Sequence, residues 1–445
     1  MTAIQQKKTP SVAGPVTVGP GKTEARRRSA PGRAVLRLAL LTGGGDKPYV
    51  LGITEALTGS GISVDVIGSD NLVCRELTDN PEVNFLNLRG DLSHDAGRVD
   101  KTIRVLRYYV RLLKYAATTQ SGIFHILWNN KFELFDRTLL MIYYRAFGKR
   151  VVMTAHNVNA AARDGGDSFL NRTTLKVQYS LCHHIFVHTE KMKGELIANF
   201  DVADDKISVI PFGINNTAPN TGLTTDAAKS KLGLSDRERT MLFFGRIVPY
   251  KGLEYLIEAL ARLVPRCPGV RLIIAGAITE APQYWQEIQQ AIIRTGTDER
   301  IIQKIQFIPD EETELYFKAA DVLVLPYNHI FQTGVLFLAY SFGLPSIVSD
   351  VGSLKEEIVE GKTGFVVPPK NPAALAEVIE KYFSSDLFKN LESQRPEIRE
   401  YANERYSWSK VAAITTGIYS KLLKTNASTP AAVACNPDPV IVKKA

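Results

Sequence analysis

Cysteine is scarce in this chain. Only four cysteines occur among 445 residues, and no two of them stand in a CxxC pair. This usage argues against a disulfide-stapled scaffold and against a cysteine zinc cluster, and it fits a reducing cytoplasm, where we expect the protein to reside. The four are far apart along the chain: Cys74, Cys182, Cys267 and Cys435.

Long apolar runs are also missing. The longest, Val322–Pro326 and Val335–Phe342, are much shorter than the roughly 18 residues that a helix needs to cross a bilayer. No stretch near the amino terminus has the pattern of a secretory signal peptide. We therefore expect neither an integral membrane anchor nor export.

The composition that remains is typical of a globular protein, with 45% hydrophobic residues, 22% charged residues and a mean hydropathy of −0.06. A length of 445 residues predicts two or three domains. The formal charge is +8, but residues 1–33 alone carry seven basic residues and one acidic residue. We interpret residues 1–33 as a disordered basic tail and residues 425–445 as a second disordered tail.

Residues 101–150 form a second basic band, with ten lysines or arginines and two acidic residues. A helix capped by Asp100 is predicted at its start. The interpretation that we favour is a solvated basic face over a buried apolar stripe, and the alternative is docking on an anionic bilayer surface. The stripe would consist of Leu106, Tyr109, Val110 and Leu113. No motif of a nucleic-acid-binding domain is present, so we expect no nucleic acid partner.

Short apolar strands alternate with amphipathic helices twice along the chain, from Ala34 and again from Thr240. This pattern predicts an α/β fold of two tandem Rossmann-like, doubly wound domains. The first spans 34–218 and the second 219–407, and a helix over about 408–424 is expected to pack back on the first. Ligands of such sheets bind at the carboxyl ends of the strands, so the two domains should face a cleft.

The clearest chemical motif begins the second domain. A strand ends at Gly245, and Arg246 and Lys251 flank the turn that opens the next helix. Arginine offers a planar fork of donors, lysine a mobile charge, and the helix start offers free N–H groups. Together they suit a diphosphate.

Two further strand ends complete this side of the cleft. A strand predicted over Lys304–Phe307, the turn at Ile308 and Pro309, and a helix with an acidic start form a wall on which a nucleobase can rest. Gly334 opens a helix whose first N–H groups are free to bind phosphate.

These three elements, in this order and separation, resemble the retaining glycosyltransferases of family four, which have the GT-B fold. The runs Pro211–Asn215 and Gly352–Val367 are similar to that family as well. The resemblance implies a hexosyltransferase-like enzyme that needs no metal and no cofactor beyond its nucleotide-diphosphate sugar, and that works in polysaccharide or glycoconjugate biosynthesis. The acceptor would be a glycan, a lipid-linked molecule or a small molecule. If the basic band over 101–150 docks on an anionic bilayer, the cytoplasmic enzyme would be peripheral on the inner face of the membrane.

By the same resemblance, Arg246 and Lys251 neutralise the donor diphosphate and Gly334 lies beneath the phosphates. The family's usual pair of glutamates falls on Ile330 and Leu338, which are not acidic. Gln332 and Thr333 are the polar residues available beside them for donor contacts. The departure leaves two alternatives open, a nucleotide-sugar-binding scaffold with weak or no catalysis, and a sugar-nucleotide epimerase of similar architecture.

The first domain is expected to supply the acceptor side. Gly44 and Gly45 follow its first strand, and the resemblance implies that this loop approaches the donor phosphate or the acceptor. His156 stands at the end of a strand, and in the family the histidine at this place contacts the donor sugar. An inverting enzyme would instead need a carboxylate base, for which Asp164 and Asp167 are available. Four residues are predicted to reach the acceptor: Trp128, Asn129, Asn157 and Asn159.

Overall fold

The structure is a computed structural model that describes residues 36–90, 98–130, 132–163, 166–214, 216, 218–279 and 282–427. The basic tail predicted over 1–33 lies outside the described residues, and so does 428–445 of the second predicted tail. Lys131, Asp164 and Asn215 also lie outside them.

The first domain is built on a seven-stranded parallel sheet with the order β3-β2-β1-β4-β5-β6-β7. Its strands are β1 (Arg37–Leu41), β2 (Ser63–Gly68), β3 (Val83–Asn87), β4 (Ile123–Ile126), β5 (Arg150–Thr154), β6 (His184–Val187) and β7 (Ile207–Val209). The central strands are almost wholly buried because helices cover both faces. Strand β3 was not predicted, since it lies at the sheet edge and alternates exposed polar with partly buried apolar residues.

In the described part of this domain there are eight α-helices: α1 (Lys47–Gly59), α2 (Arg75–Thr78), α3 (Arg98–Thr118), α4 (Glu133–Arg137), α5 (Leu139–Ala146), α6 (Ala160–Arg163), α7 (Phe169–Leu181) and α8 (Glu190–Phe200). The core on one face of the sheet takes side chains from α3, α5, α7 and α8. The core on the other face takes side chains from α1 and from the last helix of the chain.

Helix α3 departs from its prediction in two ways. It begins at Arg98, so Asp100 lies within its first turn rather than at its cap. Its buried side is formed by Tyr108, Tyr109, Leu112 and Ala116. The favoured interpretation of a buried stripe is therefore wrong for Leu106 and Val110, which are 57% and 66% exposed. The basic face of α3 is mixed with apolar side chains.

The second domain has a six-stranded parallel sheet with the order β10-β9-β8-β11-β12-β13. Its strands are β8 (Arg239–Phe244), β9 (Val270–Ala275), β10 (Ile301–Lys304), β11 (Val322–Leu325), β12 (Ser346–Ser349) and β13 (Gly364–Val367). The remaining helices are α9 (Thr225–Lys231), α10 (Leu253–Leu263), α11 (Pro282–Thr295), α12 (Asp310–Ala319), α13 (Gly334–Ser341), α14 (Pro372–Ser384), α15 (Asp386–Lys389), α16 (Leu391–Arg405) and α17 (Trp408–Ala427). The predicted fold class, two doubly wound α/β domains, is confirmed.

Helix α17 returns to the first domain and packs on α1. The Trp408 indole N–H donates to the Ile214 carbonyl at 2.9 Å. The Tyr419 hydroxyl bonds Nδ1 of buried His125 at 2.7 Å, and Thr154 bonds Nε2 of the same ring at 2.7 Å. No helix within the described ranges is long and apolar enough to cross a membrane.

The carboxyl ends of the two sheets meet across a cleft. The Phe212 and Phe337 rings stack across it with centroids 5.0 Å apart, and Nζ of Lys191 donates to the Gly352 carbonyl at 3.2 Å. A cavity of about 200 Å³ lies between the domains. It is lined by Asp46, Pro48, Tyr49, Phe212, Gly213, Gly334, Val335, Leu338 and Trp408.

Candidate active site

The second-domain wall of the cleft starts where β8 ends. Gly245 has φ +95°, and a methyl group there would lie 2.8 Å from Nζ of Lys251. A one-turn 3₁₀ helix, Pro249–Lys251, then leads to Gly252 at φ +65°, where a side chain would collide with the Pro326 carbonyl. These two glycines let the turn fold tightly and bring the lysine back over its own strand.

Lys251 is 5% exposed, and its Nζ donates to the Phe244 carbonyl at 3.4 Å. Its ammonium lies 5.9 Å from the Phe243 ring centroid and 5.5 Å from the Tyr327 ring centroid. Burial, together with the positive charge of Arg246, lowers the pKa of Lys251 to about 7. Arg246 is exposed and close enough to exert that repulsion. The pair forms a cationic site that an anion would stabilise.

Helix α13 begins opposite this site. Thr333 caps it by accepting the Val335 N–H at 3.4 Å, and Gly334 is its first residue. A methyl group at Gly245 would lie 3.7 Å from Val335, so the β8 turn and the start of α13 adjoin. The structure thus brings together Arg246, Lys251, Gly245 and Gly334, which the sequence placed at separate strand ends. Cations beside a helix amino terminus favour bound phosphate.

The Gln332 side chain is hydrogen-bonded to a buried carboxylate, Glu357, which was not identified from the sequence. Its amide donates to Glu357 Oε1 at 2.9 Å, and the Tyr406 hydroxyl donates to Glu357 Oε2. Burial raises the pKa of Glu357. Gln332 Oε1 is buried without a hydrogen-bond partner among the described residues. The run Gly352–Val367, which carried the resemblance, was the available signal for Glu357.

Two predicted donor residues differ in accessibility. Phe307 is 75% exposed just after β10, whereas the Ile308 side chain is buried in the domain core. Ile330 and Leu338 are also buried, and Leu338 lines the cleft cavity. The cavity is therefore apolar at a position where the family has a glutamate.

On the first-domain wall, His156 is packed among aromatic rings. It stacks on Trp128 with centroids 4.2 Å apart and an interplanar angle of 9°. Tyr49, which lines the cavity, meets the imidazole edge-on at 4.6 Å. Nδ1 of His156 lies 3.0 Å from Nε2 of His188, and Nδ1 of His188 lies 3.4 Å from the Ile210 carbonyl oxygen.

This chain of contacts fixes the tautomers. A carbonyl oxygen only accepts, so Nδ1 of His188 carries the hydrogen and its Nε2 accepts from Nδ1–H of His156. Nε2 of His156 is then a bare acceptor, and it is buried with no partner among the described residues. Burial and the neighbouring imidazoles hold the pKa of His156 well below its ordinary value, and burial lowers the pKa of His188 to about 4. Both rings are neutral at pH 7, and His156 is ready to accept a hydrogen bond.

The glycine turn after β1 is shaped by its neighbours. A side chain at Gly45 would collide with the Trp128 indole, and one at Gly44 (φ +79°) would lie 2.5 Å from Arg89 Nη1. The two glycines therefore allow Trp128 and Arg89 to pack closely against the turn. Arg89 could not be identified from the sequence because β3, the strand that it follows, was not predicted.

The predicted acceptor asparagines have different roles in the structure. The Asn129 and Gln178 amides bond each other reciprocally, at 3.1 and 2.6 Å, which ties β4 to α7. Asn159 Oδ1 accepts the Ala162 N–H at 3.2 Å and the Asn171 amide at 2.9 Å. Asn157 is partly exposed and takes part in none of the described hydrogen bonds. Of the three, Asn157 has the amide that is least committed to the fold.

Asp46 is another cleft residue that the sequence analysis missed. Its Oδ1 caps α1 by accepting the Tyr49 N–H at 3.3 Å, and its Oδ2 would lie 4.0 Å from a methyl group at Gly334. Burial raises the pKa of this carboxyl, and the nearby Asp310 raises it further. An aspartate directly before Lys47-Pro48 was a visible helix-cap signal.

Asp167, a candidate for an inverting base, accepts hydrogen bonds from Asn171 and Arg172. Within the described residues, no group of three or more histidine, cysteine or carboxylate side chains is arranged to hold a metal ion.

Two family models match the chain. One, described as glycosyl transferases group 1, matches residues 224–405, and the other, glycosyltransferase family 4, matches residues 43–217. An uncharacterised glycosyltransferase of Methanocaldococcus jannaschii is 29% identical over 54% of this chain and 60% of its own length. A D-inositol 3-phosphate glycosyltransferase of Corynebacterium efficiens is 27% identical over 61% of this chain and 65% of its own. The matched segment thus spans less than two thirds of these relatives.

Solved structures share the fold. Sucrose-phosphate synthase from Thermosynechococcus elongatus has a TM-score of 0.70 at 19% identity, covering 87% of this chain and 99% of that one. Anabaena HepE in complex with UDP-glucose has a TM-score of 0.66 at 16% identity, with the same coverage. Both halves of the sequence match family models, and both sheets match this architecture. The resemblance in the motifs is confirmed, and the chain belongs to the family-four glycosyltransferases with the GT-B fold.

Proposed function

We propose that this chain transfers a hexose from a nucleotide-diphosphate sugar to a glycan, lipid-linked or small-molecule acceptor. The observation that carries the proposal is the buried Lys251 beside Arg246, facing the start of α13. Departure of a nucleoside diphosphate develops negative charge, and fixed cations beside a helix amino terminus stabilise that charge as it forms.

The comparisons support the donor class. Relatives across much of the chain are named glycosyltransferases, and HepE was solved with UDP-glucose. In this chain, Gly44, Gly45, Gly245, Thr333 and Gly334 would border the donor.

Five side chains would complete the donor and acceptor contacts. The bare Nε2 of His156 would accept a hydroxyl hydrogen of the transferred sugar. The free oxygen of Gln332 and the exposed ring of Phe307 would contact the nucleoside. Trp128 and Asn157 would bind the acceptor.

We propose that the reaction needs no metal and retains the anomeric configuration. The diphosphate already meets two cations, and the leaving phosphate oxygen can take the acceptor proton as the new glycosidic bond forms. NMR of the product anomer tests retention, and transfer in the presence of EDTA tests metal independence. An inverted product or full inhibition by EDTA would contradict these two points.

The donor-site test compares Lys251→Met and Arg246→Met with Lys362→Met, an exposed lysine of the same domain. Each of the first two should reduce transfer at least about 100-fold, which corresponds to roughly 2.7 kcal/mol of transition-state stabilisation, without loss of fold. Lys362→Met should have no effect. Activity of Lys251→Met within a few-fold of wild type would reject the assignment.

A second candidate is a nucleotide-sugar-binding scaffold, which the apolar residues Ile330 and Leu338 favour. A thermal-shift screen of nucleotide diphosphates and their sugars separates the two. Binding of a nucleotide sugar with neither transfer nor donor hydrolysis would favour the scaffold.

We also propose that the first domain docks on an anionic membrane at its inner face. Eleven of the sixteen large apolar residues that are exposed in the described part of the chain lie between residues 99 and 170. On α3 they alternate with the exposed Arg107 and Arg111. The others lie on or beside α4, α5 and α7: Phe132, Leu134, Leu139, Ile142, Phe147, Phe169 and Leu170. An apolar face bordered by arginines is complementary to an anionic bilayer.

The starts of α3 and α7 follow the carboxyl ends of β3 and β5, at the edge of the sheet that borders the cleft. A lipid-linked acceptor could therefore enter it from the bilayer. Leu106→Ser/Val110→Ser and Arg107→Gln/Arg111→Gln should each weaken sedimentation with phosphatidylglycerol vesicles at low salt. Ile293→Ser, an exposed apolar residue of the second domain, is the control. Unchanged sedimentation of both double variants would exclude this surface.

A further inference from the structure

A further cationic side chain, Arg89, lies on the first domain, whereas Lys251 and Arg246 belong to the second. Arg89 follows β3 at the carboxyl edge of the sheet, where its N–H donates to the Gly68 carbonyl at 3.2 Å. Its guanidinium crosses the glycine turn, 2.5 Å from where a methyl group at Gly44 would lie. The backbone bond of Arg89 to Gly68 and the close contact with Gly44 therefore hold the guanidinium beside the glycine turn.

The Arg89 side chain is only partly satisfied. Its Nη1 is buried without a hydrogen-bond partner among the described residues, and the guanidinium carbon lies 5.6 Å from the Tyr108 ring centroid. Burial raises the pKa of the nearby Asp136, and the charge of Arg89 acts against that rise, so the two groups attract each other. None of the described hydrogen bonds joins them: Asp136 Oδ1 accepts from Tyr109 at 2.9 Å and from Asn130 at 3.3 Å, and its Oδ2 is buried without a partner among the described residues. A buried guanidinium N–H without an acceptor is costly, and a phosphate oxygen is the partner that it binds most strongly.

The position of Arg89 indicates which substrate would supply that oxygen. The Tyr108 hydroxyl donates to Asn130 at 2.7 Å, and Asn130 is two residues beyond Trp128. Arg89 therefore belongs to the first-domain network that includes the proposed acceptor residues. The donor diphosphate already has its own cations on the second domain.

We propose that Arg89, beside the Gly43–Gly45 turn, forms an anion subsite that binds a phosphate group of the acceptor. The inference rests on the proposed function and deepens it, because it restricts the acceptor to molecules that carry phosphate. The subsite would hold the acceptor by its anionic end and direct a hydroxyl towards the sugar bound beside His156.

The test first fills the donor site with saturating UDP and then titrates inorganic phosphate by calorimetry, with ionic strength held constant by sodium chloride. Wild type should bind phosphate, and Arg89→Met should bind it at least tenfold more weakly while its UDP affinity is unchanged. Arg75→Met, an exposed arginine of the same domain, is the matched control and should behave as wild type. Equal phosphate affinity in Arg89→Met and wild type, or no phosphate binding to UDP-loaded wild type, would overturn the proposal.

Thermal stability provides a second readout. Removing a guanidinium whose buried Nη1 lacks a hydrogen-bond acceptor should leave the melting temperature unchanged or raise it, because groups kept for ligand binding often destabilise the ligand-free protein. A large loss of stability in Arg89→Met and also in Arg89→Gln, with phosphate affinity retained, would assign Arg89 a structural role instead. Failure of wild type to bind UDP would contradict the proposed function, whereas an Arg89 variant that binds phosphate normally contradicts only this subsite.

Discussion

Nucleotide binding should be accompanied by proton uptake at Lys251. In the free protein, burial and Arg246 lower the pKa of this lysine to about 7. It is therefore about half protonated at pH 7 and about one-tenth protonated at pH 8. A diphosphate beside Nζ favours the charged form and returns the pKa towards its ordinary range. Binding should then take up about 0.5 proton at pH 7 and about 0.9 at pH 8.

Calorimetry measures this uptake directly. UDP is titrated at pH 8 in two buffers of different ionisation enthalpy, where the nucleotide phosphate is itself fully ionised. The observed heat should differ between the buffers by about 0.9 times the difference in their ionisation enthalpies. Lys362→Met should preserve the difference and Lys251→Met should abolish it. Heats independent of buffer at pH 8 would refute the reasoning.

The same shift makes stability depend on pH. The folded-state pKa of about 7 lies below the ordinary value of 10.5, so the unfolded chain binds more protons between these values. The cost of burying Lys251 is therefore full below pH 7, at about 5 kcal/mol, and it declines as pH rises towards 10.5. Lys251→Met should raise the melting temperature of the nucleotide-free protein at pH 6 more than at pH 9. An equal effect at both pH values would contradict this.

Three further outcomes test the supporting contacts. His188→Leu should lower kcat with little change in KM, because His156 loses the acceptor that fixes its tautomer, and His188→Gln should restore much of the lost kcat. ¹⁵N NMR of the imidazoles reports the tautomer. A hydrogen on Nε2 of His156 in wild type would contradict the assignment. Glu357→Leu should raise KM for the nucleotide sugar several-fold through the unsupported Gln332 amide, and an unchanged KM would exclude that role. Tyr419→Phe leaves buried Nδ1 of His125 unpaired and should cost about 1–3 kcal/mol in urea unfolding, whereas a cost near zero would show that the bond contributes little.

The elements that were predicted well are those whose local sequence alone indicates whether they are buried. Near-continuous apolar strands such as β11 indicate burial on both faces without reference to any partner. Strand β3 is an edge strand, and its half-exposed pattern resembles that of a loop. The stripe on α3 was wrong at Leu106 and Val110 because a helix with apolar residues all round does not reveal which of them meet the sheet.

The candidate site likewise contains some residues that could be predicted from the sequence and others that could not. Gly245, Lys251 and Gly334 could be placed together because the carboxyl ends of parallel strands share one edge. The His156–His188 contact needs β5 and β6 to be neighbours, and Arg89 needs β3 beside β2. Both depend on strand order, which local sequence does not determine. Trp408 reaches the cleft from a helix that follows the whole second domain.

A carboxylate at position 338, where the family has a glutamate, would add a counter-charge to the cleft near Lys251. Leu338 lies one turn along α13 from Gly334 and lines the same cavity as Val335. A methyl group at Gly245 would lie 3.7 Å from Val335 and 2.8 Å from Nζ of Lys251, so we expect a carboxylate at position 338 to attract the lysine. Two unit charges about 10 Å apart at an effective dielectric of about 20 interact by roughly 1.7 kcal/mol, or about one pKa unit. Leu338→Glu should therefore raise the pKa of Lys251 and reduce the proton uptake on UDP binding at pH 8, while Leu338→Gln, which has the same shape without the charge, should not. Equal uptake in the two variants would show that the cleft residues do not set the charge of the lysine.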